Sequence, residues 1–207
     1  MKLYGFYINS FACSGCKTCQ VACKDKNDLK QGVNWRRVYD IQGGEWKSDN
    51  GVFNSVPYAY NLSISCLNCE TPKCLDACPT KAIYENENGL ILIDQKLCMG
   101  CRYCEWVCPY GAPQYDPESK IMTKCNLCED YIITGRKPSC VDSCPMRALD
   151  FGPMEEMKEK YGTVAQVFPL PDPGLTDPGV VIKPHKDAGK ASADSAIVNF
   201  SEDQQNE

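Results

Sequence analysis

The sequence predicts an α+β chain in two similar halves, one contiguous and one permuted, organised around cysteine-held metal as well as an apolar core. Three observations carry this. Sixteen cysteines stand among 207 residues, about 8% of the chain, near the range where composition points to a cysteine-stapled scaffold. They divide into four quartets with nothing left over: Cys13, Cys16, Cys19 and Cys23; Cys66, Cys69, Cys74 and Cys78; Cys98, Cys101, Cys104 and Cys108; Cys125, Cys128, Cys140 and Cys144. Short apolar runs precede the first and third quartets, and one repeated segment follows the second and fourth, so the chain repeats itself.

Composition sets the outer limits. With 43% hydrophobic and 24% charged residues, the length allows one ordinary domain or two small ones. The longest apolar cluster, Leu90-Ile91-Leu92-Ile93, is far short of the roughly 18 residues that cross a bilayer, so no membrane span is expected. A net charge of -5 without any Lys/Arg block argues against nucleic-acid binding. No dinucleotide fingerprint, phosphate loop or nucleophile constellation is visible, so a non-catalytic role is expected. The N-terminal stretch MKLYGFYINSFACSGC has neither an apolar h-region nor a twin-arginine pair, and no export signal is expected in it.

Taken in chain order, Tyr4 to Asn9 reads as a strand leading into the first quartet. The first and third quartets read C-x2-C-x2-C-x3-C, the bacterial [4Fe-4S] run, in which three thiolates wrap one cube and the fourth reaches a second. Pro79, Pro109 and Pro145 follow the last cysteine of the other quartets, where proline removes a donor and fixes φ; Lys24 takes that place in the first. Residues 24–65, with Trp35, Arg36, Arg37, Trp46 and Tyr58-Ala59-Tyr60, read as a connector or interface insertion. Core packing of the tryptophans is the alternative. Ala82 to Asp94 reads as a hairpin turning at Asn86-Glu87-Asn88-Gly89, which makes residues 66–108 a contiguous two-cluster unit.

The first and fourth quartets are then its permuted counterpart, residues 1–23 plus 109–161. In it Ala148-Leu149-Asp150-Phe151 would pair with the strand before the first quartet. The repeat is visible in Cys78-Pro79-Thr80-Lys81-Ala82-Ile83 and Cys144-Pro145-Met146-Arg147-Ala148-Leu149. Pro153 to Tyr161 reads as a helix, with Glu155 and Glu156 in its first turn, Lys158 and Lys160 in its last, and Gly162 as the stop. Residues 162–207, with five prolines and few aromatics, read as an extended tail laid over a partner or partly disordered, and His185 in it as solvated.

Zinc would suit the separated C-x2-C pairs of the second and fourth quartets. The ungapped triple run is not a zinc spacing, and His185 is the only histidine. Separate disulfides are poor geometry for C-x2-C repeats. The rule that the fourth cysteine serves the other cube of a pair gives four [4Fe-4S] sites. Cys13, Cys16 and Cys19 would be completed by Cys144; Cys125, Cys128 and Cys140 by Cys23; Cys66, Cys69 and Cys74 by Cys108; Cys98, Cys101 and Cys104 by Cys78. Quartets that supply every ligand favour electron transfer over catalysis. Lys17, Lys81, Arg102, Lys124 and Arg147 stand beside ligand positions as candidates for raising cluster potentials.

The stretches CSGCKTCQVACKD, CLNCETPKCLDACPTKA, CMGCRYCEWVCPYGAPQY and CVDSCPMRALDFGP resemble the cysteine groups of the iron-sulfur (B) subunits of anaerobic dimethyl sulfoxide reductase. The resemblance extends to VNWRRVYD, GGEW, LSISC and VIKP, and it places the sequence among the four-cluster subunits of membrane molybdoenzymes. It implies two bacterial-ferredoxin-like units set between a large molybdopterin catalytic subunit and an integral membrane anchor that oxidises quinol. The first quartet would face the catalytic subunit and the third the anchor. At the position of Cys101 related nitrate reductases carry tryptophan, so a complete [4Fe-4S] cube is expected here. The implied location is peripheral at the cell membrane, on the periplasmic face by co-export with the catalytic subunit, with the cytoplasmic face as the alternative. Competing readings are a subunit of a polysulfide reductase, thiosulfate reductase or formate dehydrogenase, a free polyferredoxin, and a zinc-stabilised interaction module.

Overall fold

Apolar runs flanking the cysteine groups become short strands, and the cysteine loops hang between them. The computed structural model describes residues 3–198. In chain order the elements are β1 (Tyr4–Asn9), α1 (Thr18–Lys26), β2 (Arg37–Asp49), β3 (Val52–Ile64), α2 (Lys73–Asp76), β4 (Ile83–Glu85), β5 (Ile91–Ile93), α3 (Tyr103–Val107), β6 (Gln114–Asp116), β7 (Ile121–Thr123), α4 (Glu129–Ile132), α5 (Ser139–Asp142), β8 (Leu149–Pro153), α6 (Met154–Tyr161), β9 (Val180–Lys183) and β10 (Ala196–Val198). This is the mixed α+β architecture that the sequence predicts.

β1 is the middle strand of a three-stranded sheet and is buried on both faces, which is why it reads as a continuous apolar run. β8 pairs with it antiparallel, setting Phe6 opposite Phe151 and Ile8 opposite Leu149. The segment after the fourth quartet therefore does lie against the strand before the first. β4 and β5 form the hairpin expected between the second and third quartets; Asn86 Oδ1 accepts from the N–H groups of Asn88 at 3.0 Å and Leu90 at 2.9 Å to close its turn.

Two segments differ from the sequence reading. Residues 24–65 are dominated by a ribbon in which β2 and β3 pair along their whole length around Asn50-Gly51, both at positive φ. Its inner half is buried through Val38, Ile41, Tyr60 and Leu62, and its outer half is exposed. The two tryptophans split accordingly: Trp35 is buried and donates its Nε1–H to Thr123 Oγ1 at 3.1 Å, whereas Trp46 on the ribbon is 71% exposed.

The second difference is the tail. β9 runs parallel to β1 on the edge that β8 leaves open, and Val180, Val181 and Ile182 are buried. The β-branched run covers a strand edge that would otherwise be unpaired. His185 is not solvated: it stacks on Tyr60 at 5.8 Å between ring centroids, and its side chain is 17% exposed. β10 adds to β2, and residues 199–207 of the expected tail lie outside the described residues.

α6 begins right after Pro153, ends at Gly162, and is tied down through Asp150. The Asp150 carboxylate accepts from Lys137 at 2.6 Å, Tyr161 at 2.7 Å, Lys160 at 3.2 Å and the Phe151 N–H at 2.9 Å. Burial alone would raise this carboxyl, but the donors together hold it well below the usual carboxylate range. A depressed folded-state pKa gives stability that is complete above the unfolded value of about 4 and is lost as pH falls through the folded one. Asp150→Asn is expected to cost about 1–3 kcal/mol at neutral pH, read as a lower urea midpoint, with less cost in strong acid. An unchanged midpoint at pH 7 would show that the donors contribute no net stability.

The core is shared with the cysteines. Its main apolar cluster includes Phe6, Ile8, Leu62 and Leu90 together with Cys19, Cys23, Cys66, Cys125, Cys140 and Cys144. A smaller cluster gathers Ile83, Ile91, Met122 and Cys104, flanked by Cys74, Cys78 and Cys98. The β6–β7 hairpin, which the sequence reading did not anticipate, lies beyond the boundary drawn at residue 108. It packs on the third quartet: the Met122 N–H donates to Cys98 Sγ at 3.4 Å.

Candidate metal centres

The cysteine loops are shaped by backbone conformation. In the first and third quartets Gly15 and Lys17, and equivalently Gly100 and Arg102, have φ between 60° and 71°. Alternating left-handed residues curl C-x2-C-x2-C so that three thiols face one point. At Gly100 nothing larger fits, because a Cβ would lie 2.2 Å from the Lys120 carbonyl oxygen. α1 then continues through Cys23 to Lys26, which accounts for the missing proline at Lys24; α3 stops at Val107, just before Cys108-Pro109.

After Cys78, Cys108 and Cys144 a second device recurs. The third residue on, Lys81, Gly111 or Arg147, is left-handed at φ 55°, 57° and 49°. The chain reverses there, and the next amide returns to the thiol: Ala112 N–H donates to Cys108 Sγ at 3.5 Å and Ala148 N–H to Cys144 Sγ at 3.3 Å. Each returning alanine, Ala82, Ala112 or Ala148, is buried. Lys81 and Arg147 thus occupy a backbone position that glycine fills in the third quartet. The C-P-x-x-A pattern was legible there too, as CPYGA, but the sequence reading took only the second and fourth copies.

The thiols gather in foursomes, each with three from one stretch and one from elsewhere. Cys13, Cys16, Cys19 and Cys144 line one cavity, Cys66, Cys69, Cys74 and Cys108 another, and Cys78, Cys98, Cys101 and Cys104 a third. Cys23, Cys125, Cys128 and Cys140 are all buried, and the Cys23 thiol is pushed up by burial and by its neighbours Cys125, Cys140 and Cys128. Among the described residues no three ligating side chains converge closely enough for a single metal ion. Four thiols spread around one space, with walls such as Val38, Leu149, Ile83 and Met122, suit an inorganic body with several metal corners. A tetrahedral zinc would draw its four thiolates to about 2.3 Å of one centre.

Burial pushes the thiol of Cys13 up to about 11 and those of Cys69, Cys74, Cys104 and Cys125 up to about 12. Without metal these groups stay protonated at neutral pH, so metal loading releases protons and supplies the charge that buried thiolates need. Fixed cations help. Lys124 is buried, and its ammonium donates to Cys66 Sγ at 3.5 Å, to the Cys125 carbonyl at 3.0 Å and to the Ile91 carbonyl. It joins the Cys66 foursome to the Cys125 foursome.

Of the five basic residues singled out from sequence, Lys124 alone is buried. Lys81, Arg102 and Arg147 are exposed, Arg102 pairs with Glu105 at 2.8 Å, and half-buried Lys17 pairs with Asp40 at 3.6 Å. Two more cations, read from sequence only as part of the connector, lie near thiols although they are remote from them in the chain. Arg36 donates from Nη2 to Cys140 Sγ at 3.4 Å, and Arg37 from Nη2 to the Tyr110 carbonyl at 2.8 Å, near Cys108. An Arg-Arg pair entering a strand sends one side chain to each face, which was the available signal. Asn68 was missed: buried beside Cys69, it bonds the Tyr4 and Gly89 carbonyls and the Ile91 N–H.

The foursomes adjoin one another in a series. Cys19 lies in the field of Cys140, Cys125 in that of Cys66, and Cys74 shares an apolar cluster with Cys78, Cys98 and Cys104. Exposed thiols occur only at its two ends, Cys16 in one outer foursome and Cys101 in the other.

Comparison with known proteins gives the following. A 4Fe-4S dicluster domain model matches residues 54–154, and a second 4Fe-4S dicluster domain model matches residues 12–83. The sequence is 52% identical to the anaerobic dimethyl sulfoxide reductase B subunit of Escherichia coli (strain K12) over 182 residues, 88% of this protein and 89% of that one. It is 48% identical to the B subunit of the same name from Haemophilus influenzae, covering 90% and 91%. To the polysulfide reductase B subunit of Wolinella succinogenes it is 37% identical, covering 91% and 97%.

Proposed function

The protein belongs to the family of iron-sulfur B subunits of anaerobic dimethyl sulfoxide reductase, and from that premise we propose how its thiol foursomes are used. It is an electron-transfer subunit of a molybdoenzyme, with four [4Fe-4S] clusters as cofactors. Cys13, Cys16, Cys19 and Cys144 hold the first; Cys23, Cys125, Cys128 and Cys140 the second; Cys66, Cys69, Cys74 and Cys108 the third; Cys78, Cys98, Cys101 and Cys104 the fourth. Each cluster, when bound, takes up and releases one electron. The protein's own contribution is to hold the four in series, keep exposed thiols out of the middle pair and supply cations and amide N–H groups to the thiolates. Lys124, between the second and third sites, favours the reduced state there by charge.

The observation that carries this reading is the series of foursomes with an exposed thiol at each end only. A relay needs two points of contact and an insulated middle. In this reading the Cys16 end meets a large molybdopterin catalytic subunit and the Cys101 end a quinol-oxidising membrane anchor. The subunit has no catalytic site of its own and is peripheral, reaching the membrane through its partners; no helix among the described residues is long and apolar enough to cross one. The first and second clusters lie in the permuted ferredoxin-like unit and the third and fourth in the contiguous one. Anaerobically purified protein is expected to contain about sixteen iron and as many sulfide per molecule, without stoichiometric zinc. About twelve iron, or one zinc per molecule, would count against four complete clusters.

A further inference from the structure

Arg36 is among the largest fully buried side chains of the protein, at 1% exposure. A guanidinium in such a place is costly unless negative charge surrounds it. One face lies over the Phe6 ring at 4.3 Å; Nη1 donates to the Ser63 carbonyl at 3.3 Å and Nη2 to Cys140 Sγ at 3.4 Å. Nε is buried with no partner in the protein, as are Arg37 Nε and Asn34 Nδ2 close by in the chain and Oε1 of Gln20, which bonds Asn34. Ser63, whose carbonyl accepts from Arg36, also places its hydroxyl 3.4 Å from Cys19 Sγ, so the guanidinium adjoins Cys140 directly and Cys19 through one residue. Cys19 and Cys140 belong to the two different foursomes of the permuted half. No carboxylate pairs with Arg36 among the described residues, so its neutralising partners are the cysteine groups themselves.

Resting on the cluster assignment above, we propose that Arg36 is a positioning residue that sets the reduction equilibrium of the two clusters of the permuted half. An oxidised cube with its thiolates carries about -2 and gains one further negative charge from the electron it accepts. A fixed cation between two such sites, shielded from water, favours the added charge at both. It also makes the two potentials depend on a single side chain, so they move together.

The test is a potentiometric titration of the anaerobic cluster-loaded protein with dithionite, followed by electron paramagnetic resonance, in wild type, Arg36→Met and Arg36→Lys. Arg36→Met is expected to disfavour reduction of two of the four clusters at least about tenfold, which is 59 mV for one electron. Arg36→Lys keeps the charge and is expected to move the same two less than half as far. The remaining two clusters should stay near wild type in both. Unmoved potentials in Arg36→Met with full iron would overturn the proposal, as would an equal shift of all four clusters. Iron loss in both variants would make Arg36 a structural brace and overturn it too. Wild-type protein with fewer than about sixteen iron would instead signal failure of the cluster assignment, a distinct result.

Discussion

Cys144→Ala is expected to damage the site of Cys13, Cys16 and Cys19, which lies far from it in sequence, more than that of Cys125, Cys128 and Cys140, its nearest cysteines. Cys144 lines the cavity of the first group together with Pro145, Met146, Ala148 and Leu149. Its thiol accepts the Ala148 N–H, and the chain goes directly into β8, which pairs with β1 just ahead of Cys13. On the proposed assignment, removing this thiol leaves three ligands and cuts a metal link between Cys144 and the stretch from Cys13 to Cys19. Because metal binding is folding free energy in such proteins, the loss should be felt in assembly as well as in redox behaviour. The expected reading is a fall of about one to four iron per molecule, with a [3Fe-4S] signal or one missing [4Fe-4S] signal. Cys66 to Cys108 should keep both of its clusters. If the damage falls on the Cys140 site and the Cys13 site stays intact, the permuted pairing is wrong, although an electron-transfer role would stand.

Much of this arrangement was legible in the sequence because it is written in local spacing. C-x2-C-x2-C fixes a loop, and the strand-like runs before and after each quartet fix which loops become neighbours, as the pairing of β1 with β8 illustrates. The β2–β3 ribbon was legible only in part: Val56, Tyr58, Tyr60, Leu62 and Ile64 alternate as a strand should, but the outer half is exposed on both faces and carries no such pattern. β9 was hidden by composition. Four residues, Val180 to Lys183, sit among prolines that dominate any window wide enough to average over. The cations divide in the same manner. Lys124 could be found because it adjoins Cys125, whereas Arg36 reaches Cys140 across 104 positions, a proximity only the fold creates. Lys81 and Arg147 meet a further demand that spacing alone does not show: the backbone at that point is left-handed.

Cys101→Ser or Cys101→Trp is expected to interrupt quinol-driven turnover of the assembled complex. Cys101 is the exposed thiol of the last foursome, and its cavity is completed by Cys78, Cys98 and Cys104. Loss of one thiolate from a cube still held by three releases one iron and leaves a [3Fe-4S] form, whose potential differs from that of the original cluster. The surrounding surface is apolar: Leu97, Met99 and Tyr103 are exposed and Trp106 is 75% exposed, a patch suited to burial against the anchor. Electrons from quinol would therefore enter at the altered site, and those from a reduced viologen dye supplied to the catalytic subunit would bypass it. Quinol-linked turnover should fall at least about tenfold, while dye-linked turnover stays within about twofold of wild type. A [3Fe-4S] signal should appear in proportion to the loss. The same variant separates the two ends of the series: if dye-linked activity falls as far as quinol-linked activity, Cys101 lies toward the catalytic subunit, and if neither falls, the last foursome is not on the route.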